Sequence, residues 1–198
     1  MSRLATYVVE SRVSRFQVQA FSGGLLSVLG HNPTFAIRGL VGDMSFREDT
    51  LADASLIMRV DASSLQLVDD ISERDRRQIE RNMHVDVLET SKYPEILYAS
   101  TKIEVLDRSS SPYLVELEGN LTLHGQTRLL KFQAKVAVTG AMLRAFGEFS
   151  IWQSDYHIQL VSIGGGTLKI VDRLNLKFDI GARLLRDAAP EDSAKEGS

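Results

Sequence analysis

Four histidines, His31, His84, His124 and His157, are the side chains best able to shuttle a proton or hold a metal near neutral pH. None stands at the HxH or HExxH spacing that metal sites favour. The chain has no cysteine, so disulfides, thiol nucleophiles and thiolate metal sites are excluded. Ser154, Asp155 and His157 supply the residue types of a hydrolytic triad. Side chains so close in sequence rarely align as nucleophile, base and orienter, and no strand–elbow–helix pattern surrounds them. Gly164-Gly165-Gly166 lacks the following helix and the Lys-Ser/Thr of a phosphate loop. His124 falls in a hairpin turn and reads as a solvated turn residue, and His84 reads as an exposed helix residue. His31, just before Asn32-Pro33, reads either as a cap for a tight bend or as a hydrogen-bonding partner for a ligand headgroup. Catalytic and metal sites are therefore not expected.

The elements that must position any site are short, alternating runs. From Tyr113 to Thr139 the chain reads as one long hairpin, with Val115, Leu117, Gly119, Leu121 and Leu123 on one face and Glu116, Glu118, Asn120 and Thr122 on the other. The returning arm repeats the pattern with Leu130, Phe132, Ala134, Val136 and Val138. A four-residue loop His124-Gly125-Gln126-Thr127 would set Glu116 opposite Lys135 and Gly119 opposite Phe132. Similar runs cover residues 14–21, 34–37, 40–46, 56–60, 95–106, 142–152 and 167–180, bounded by glycine or polar turns. On 95–106 both faces carry apolar residues, which leaves its inward face open. The exception to strand patterning is Ser72 to about Leu88, where Ser72 and Asp75 form a capping box. There Ile71, Ile79, Met83 and Val87 make a narrow apolar helical stripe.

With 198 residues, 43% of them hydrophobic, the chain is long enough for one domain with a complete core. We assign that domain to residues 1–185 and read 186–198 as an acidic, disordered tail. A formal charge of −3 argues against nucleic acid as partner, and no apolar run approaches the length of a membrane span. The first residues lack a signal-peptide pattern, so the expected location is the cytoplasm, or the periplasm had a leader been removed. The fold class is all-β, an antiparallel sheet closing on itself or stacking. Small inward positions such as Gly42, Gly119, Ala134, Ala145 and Gly147 suit a hollow barrel, and equally two sheets packed through large residues.

Several segments together resemble the YceI family of lipocalin-like polyisoprenoid-binding proteins. They are Ser14-Arg15-Phe16-Gln17-Val18, Gly30-His31-Asn32 leading to Gly42-Asp43-Met44-Ser45-Phe46, and Leu88-Glu89-Thr90-Ser91-Lys92-Tyr93-Pro94. Gly119-Asn120-Leu121-Thr122-Leu123-His124-Gly125 and Phe149-Ser150-Ile151 with Ser154-Asp155-Tyr156 complete the set. The resemblance implies an elongated eight-stranded antiparallel β-barrel with one or two short helices covering one end, enclosing an apolar tunnel. The chain departs from its relatives at Trp152-Gln153-Ser154-Asp155-Tyr156-His157, where they commonly show a basic residue, Ser-Asp and a glycine.

The expected function is non-catalytic carriage or sequestration of a long apolar molecule, a polyisoprenoid or isoprenoid quinone, with no cofactor. Candidate lining residues are Phe16, Val18, Leu26, Phe35, Ile37, Met44, Leu117, Leu121, Phe132, Phe149, Ile151 and Trp152. His31, Arg38 and Arg128 are candidates for a polar headgroup at the mouth. A homodimer is compatible with the sequence. The rival readings are a solid-core barrel whose helix docks a partner, and an enzyme acting on a lipid with His31 or His157 as acid or base.

Overall fold

The computed structural model describes residues 4–23, 32–47, 51–160, 162–163 and 168–185. Leu26, His31, the Gly164–Gly166 triplet and the expected tail over 186–198 lie outside the described residues. In chain order the strands are β1 (Leu4–Val9), β2 (Arg15–Gly23), β3 (Thr34–Ile37), β4 (Leu40–Arg47), β5 (Ser55–Asp61) and β6 (Leu65–Leu67). After the helix α1 (Glu73–Asn82) come β7 (Glu95–Asp107), β8 (Tyr113–Leu123), β9 (Gln126–Thr139), β10 (Met142–Trp152), β11 (Ser162–Ile163) and β12 (Leu168–Leu184).

These segments make a closed antiparallel barrel of eight strands, three of which are broken. β1 and β2 run along β12 as one strand interrupted by the turn Ser11–Val13, with Tyr7 opposite Leu184 and Phe16 opposite Phe178. β3 and β4 form the second, and β5 and β6 the third, broken at the turn Ala62–Ser64. The short β11 pairs β12 outside the ring. A single closed sheet excludes the two-sheet packing that the small inward residues also allowed.

The central hairpin differs from the sequence expectation by two residues. Leu123 pairs with Gln126, so the loop is only His124-Gly125, and Gly119 lies opposite Leu130 rather than Phe132. Both loop residues have positive φ, 50° and 72°, the conformation that matches a two-residue turn to the twist of its strands. An even shift keeps every side chain on its expected face. It also moves the ion pair, so that Glu116 meets Lys131, at 2.8 Å, instead of Lys135.

β7 resolves its own ambiguity with a bulge. The register against β8 shifts between Ser100 and Lys102, so Ile96 and Tyr98 face inward before it and Ile103 and Val105 after it. One extra residue reverses the parity, which is why both faces of this stretch look apolar in sequence.

β6 pairs with β3, while β7 pairs with β5 no further than Glu95, opposite Asp61. The free edge of β6 is finished by side chains from α1. The Leu67 amide donates to Glu80 Oε1 at 2.9 Å, and the Arg76 guanidinium donates to the carbonyls of Leu67 and Asp69. The helix begins as its sequence predicts: Ser72 Oγ accepts from the Asp75 amide at 3.2 Å and donates to Asp75 Oδ2 at 2.7 Å. It continues through a π turn, Met83–Val87. Glu80→Ala strands the Leu67 amide, so urea denaturation should show a stability loss of about 1–2 kcal/mol. Hydrogen exchange at Leu67 and along α1 should accelerate while β8 stays protected.

Candidate functional site

Alternation along the strands turns one oily face of each toward the barrel axis, and those faces do not meet. Between them lies a cavity of about 410 Å³, within the roughly 300–1,000 Å³ common for small-molecule sites. Its wall runs from Phe46 and Leu143 at one end to Met83 and Ile158 at the other. The barrel is hollow.

The middle of the wall is a belt of aromatic rings. Tyr98 stands 5.5 Å from Phe132, Phe132 stacks on Phe149 at 4.5 Å, and Phe149 approaches Phe178 at 6.2 Å. Phe178 in turn stacks on its register partner Phe16 at 6.0 Å. Glycines let these rings lie flat. A Cβ at Gly119 would come within 2.8 Å of Tyr98 Cζ, and one at Gly147 within 3.0 Å of Phe178 Cζ. Two of the small positions that suggested hollowness, Gly119 and Gly147, are therefore covered by neighbouring rings. They keep the axis open by letting large side chains press against the wall rather than cross it.

The two ends are built differently. At one, Tyr7 and Phe46 stack in parallel at 5.3 Å and pack with Leu143, Ala5 and Ala182 into a dense base. At the other, α1 and the π turn cover the opening, and Ile71, Ile79, Met83, Val87 and Leu88 all face the cavity. The apolar stripe of the helix is thus spent inside, which removes the surface that the partner-docking reading required.

His124 is not a solvated turn residue. Its side chain is only 10% exposed, with Nε2 2.8 Å from Glu89 Oε2 and Nδ1 3.2 Å from the Tyr156 carbonyl. Tyr93 lies 4.4 Å from its ring. The imidazole thereby ties the β8–β9 turn to the segment after the helix and to the turn Gln153–Tyr156. His84 is half-buried rather than exposed, with Nδ1 shielded and without a hydrogen-bond partner among the described residues. The triad types do not assemble. Ser154 Oγ donates to Asp172 at 2.6 Å, while His157 is an exposed left-handed residue ending the turn. Among the described residues no group of three acidic or histidine side chains is placed to hold a metal.

Of the candidate lining residues, Phe16, Val18, Phe35, Ile37, Met44, Leu117, Leu121, Phe132, Phe149 and Ile151 all border the cavity. Trp152 does not. It is 50% exposed on the outer face, because Ile151 points inward and the next residue of a strand must point out. Neither Arg38 nor Arg128 reaches the cavity. Arg38 is an exposed residue donating to Gln66 Oε1, and Arg128 donates to the Asp155 carbonyl at 3.0 Å. Arg38 lies in the break between β3 and β4, and Arg128, although it pairs with the inward Leu121 and is in phase with the inward Leu130 and Phe132, sits exposed near the end of β9. Val60, Val115, Ala134 and Phe178 also line the wall and were readable from the same alternation. Tyr98 was not, because of the bulge. Burial pushes its phenol pKa upward, with the Glu118 charge adding to the effect, and burial likewise pushes that of Tyr156 up to about 12.

Similar proteins share this architecture. BcnA of Burkholderia cenocepacia superposes with a TM-score of 0.67 at 17% identity, over 87% of this chain and 98% of its own. A polyisoprenoid-binding domain from Saccharophagus degradans gives 0.64 at 15% identity, over 92% and 100%. In sequence, a UPF0312 protein of Vibrio parahaemolyticus is 28% identical over 144 residues, which is 70% of this chain and 67% of that one. The family model described as YceI-like domain matches residues 7–182. With its closed barrel, its helix over one end and that match along nearly the whole described chain, this protein belongs to the YceI family.

Proposed function

We propose that the protein binds one long, slender apolar molecule, a polyisoprenoid or the isoprenoid tail of a quinone, and carries or sequesters it without chemical change. The observation that carries this reading is the axial cavity of about 410 Å³ with an almost wholly apolar wall. Each methylene taken from water into such a wall contributes about 0.8 kcal/mol, so a tail of about twenty carbons gains roughly 16 kcal/mol before ordering costs. Freezing the tail and losing free motion offset much of that, leaving a tight but reversible complex. The Saccharophagus degradans domain, a polyisoprenoid-binding domain of the same fold, supports this choice of ligand.

Native mass spectrometry on protein purified without detergent tests the reading directly. The expected result is a mass excess that disappears on denaturation and is recovered in organic extract as an isoprenoid-type lipid. Repeated recovery of ligand-free protein that takes up no added polyprenol would sink it.

A further inference from the structure

Among the described residues one polar side chain is buried, that of Gln153, 4% exposed. It follows the outward Trp152, returns to the inward phase of Phe149 and Ile151, and borders the cavity at the end that α1 covers. Its Nε2 donates to the Val171 carbonyl at 3.1 Å and to the Asp172 carbonyl at 3.3 Å. Both amide hydrogens are thereby taken, which fixes the group with Oε1 as a free acceptor. The shielded side-chain atoms that lack a partner are His84 Nδ1 and Tyr98 Oη, so Gln153 Oε1, which accepts from no described residue, keeps accessible surface. In a side chain so buried, on the cavity wall, that surface opens on the cavity. We propose that the guest ends in a hydroxyl donated to Gln153 Oε1, so that this residue selects an isoprenoid alcohol over chains ending in an ether, a carbonyl or a charge.

A guest that fills the cavity drives water away from Oε1, and an acceptor stripped of water and left unbonded is unfavourable. A hydroxyl restores the lost bond. A ketone or carboxylate oxygen would meet Oε1 acceptor to acceptor. No Lys, Arg or His lines the cavity among the described residues, so an anion there would be desolvated with no counter-charge. An ammonium would lose far more hydration than one neutral oxygen returns, and the carboxylate on the wall, Asp69, already takes the Thr34 amide at 2.9 Å. Two other polar groups bordering the cavity are engaged elsewhere, Ser45 with Thr6 and Asn82 with Gln78, both at 2.8 Å. Of the two guests proposed above, a polyprenol meets this requirement, whereas the oxygens of a quinone ring are acceptors. The inference rests on the proposed lipid-binding function and adds to it the polar end of the ligand.

The test uses farnesol, its methyl ether, farnesoate and farnesylammonium, which share one chain and differ at its end. Each competes against a neutral naphthylamine probe whose fluorescence rises in apolar surroundings. The wild-type protein should bind farnesol about tenfold more tightly than the methyl ether, and both charged chains more weakly than farnesol. Gln153→Met should bring alcohol and ether to equal affinity, while Lys135→Ala on the outer face should keep the preference. As a readout independent of any variant, the Gln153 side-chain carbonyl carbon in labelled wild-type protein should shift downfield with farnesol and not with the ether. This measurement decides the matter if Gln153→Met fails to fold. Equal affinity for alcohol and ether, a preference that survives in Gln153→Met, an unmoved carbonyl resonance, or tighter binding of either charged chain would each overturn the inference while leaving the lipid-binding reading intact. Failure of every chain to displace the probe would overturn both.

Discussion

Ala134→Phe is expected to empty the barrel while leaving it folded. Ala134 is buried on β9, opposite Val115 on β8, and both line the cavity beside the aromatic belt. A phenyl ring grown from that point projects into the lumen rather than into neighbouring backbone. If it displaces about four methylenes of the guest, at about 0.8 kcal/mol each, binding weakens by roughly 3 kcal/mol, about two hundredfold. Overpacking costs the fold about 1–3 kcal/mol, which a domain of this size tolerates. Titration with a polyprenol, alongside circular dichroism to check the fold, measures the effect. Lys135→Ala, on the outer face of the same strand, serves as control and should bind normally. Unchanged affinity in the phenylalanine variant would mean the guest sits elsewhere.

Phe46→Ala should have the larger effect on stability. Phe46 closes the base of the cavity through its parallel stack on Tyr7, itself almost completely buried, and both pack on Leu143. Truncating such a ring costs about 3–5 kcal/mol from lost transfer energy and the void left behind. For a chain this long each kcal/mol lowers Tm by about 2–4 °C, so a fall of roughly 10–15 °C is expected in calorimetry. The added void also lengthens the cavity at its closed end, and the variant should accept longer chains than the wild type. A fall in Tm of only a degree or two would show that the base is not the packed plug it resembles.

Much of the fold is readable in the sequence because barrel strands have a strict period of two. Phe16, Val18, Leu117, Leu121, Phe132 and Phe149 could be assigned to one oily face without knowing which strand lay beside which. What escaped that reading was set by single backbone conformations. The turn at His124 has positive φ at a residue other than glycine, so its length was overestimated by two and the register with it. The bulge near Thr101 hid Tyr98 and made β7 look two-faced. Trp152 was assigned to the wall on its oiliness, although its neighbour Ile151 had already taken the inward position. The burial of His124 depends on Glu89 and on the Tyr156 carbonyl, partners more than thirty positions away along the chain. No local pattern announces such contacts.

Around the ring each strand pairs with the one made just before it, except at one seam, where β12 meets β1 and β2. During synthesis the nascent chain can therefore zip its hairpins together one after another as they emerge. It stays an open, curled ribbon until its last strand has left the ribosome. Sealing the seam brings Phe16 against Phe178, across almost the full length of the polypeptide, and the entropy of closing so long a loop falls on that final event. A guest lipid thus has a choice of moments, either entering the finished tube or being wrapped as the ribbon shuts around it.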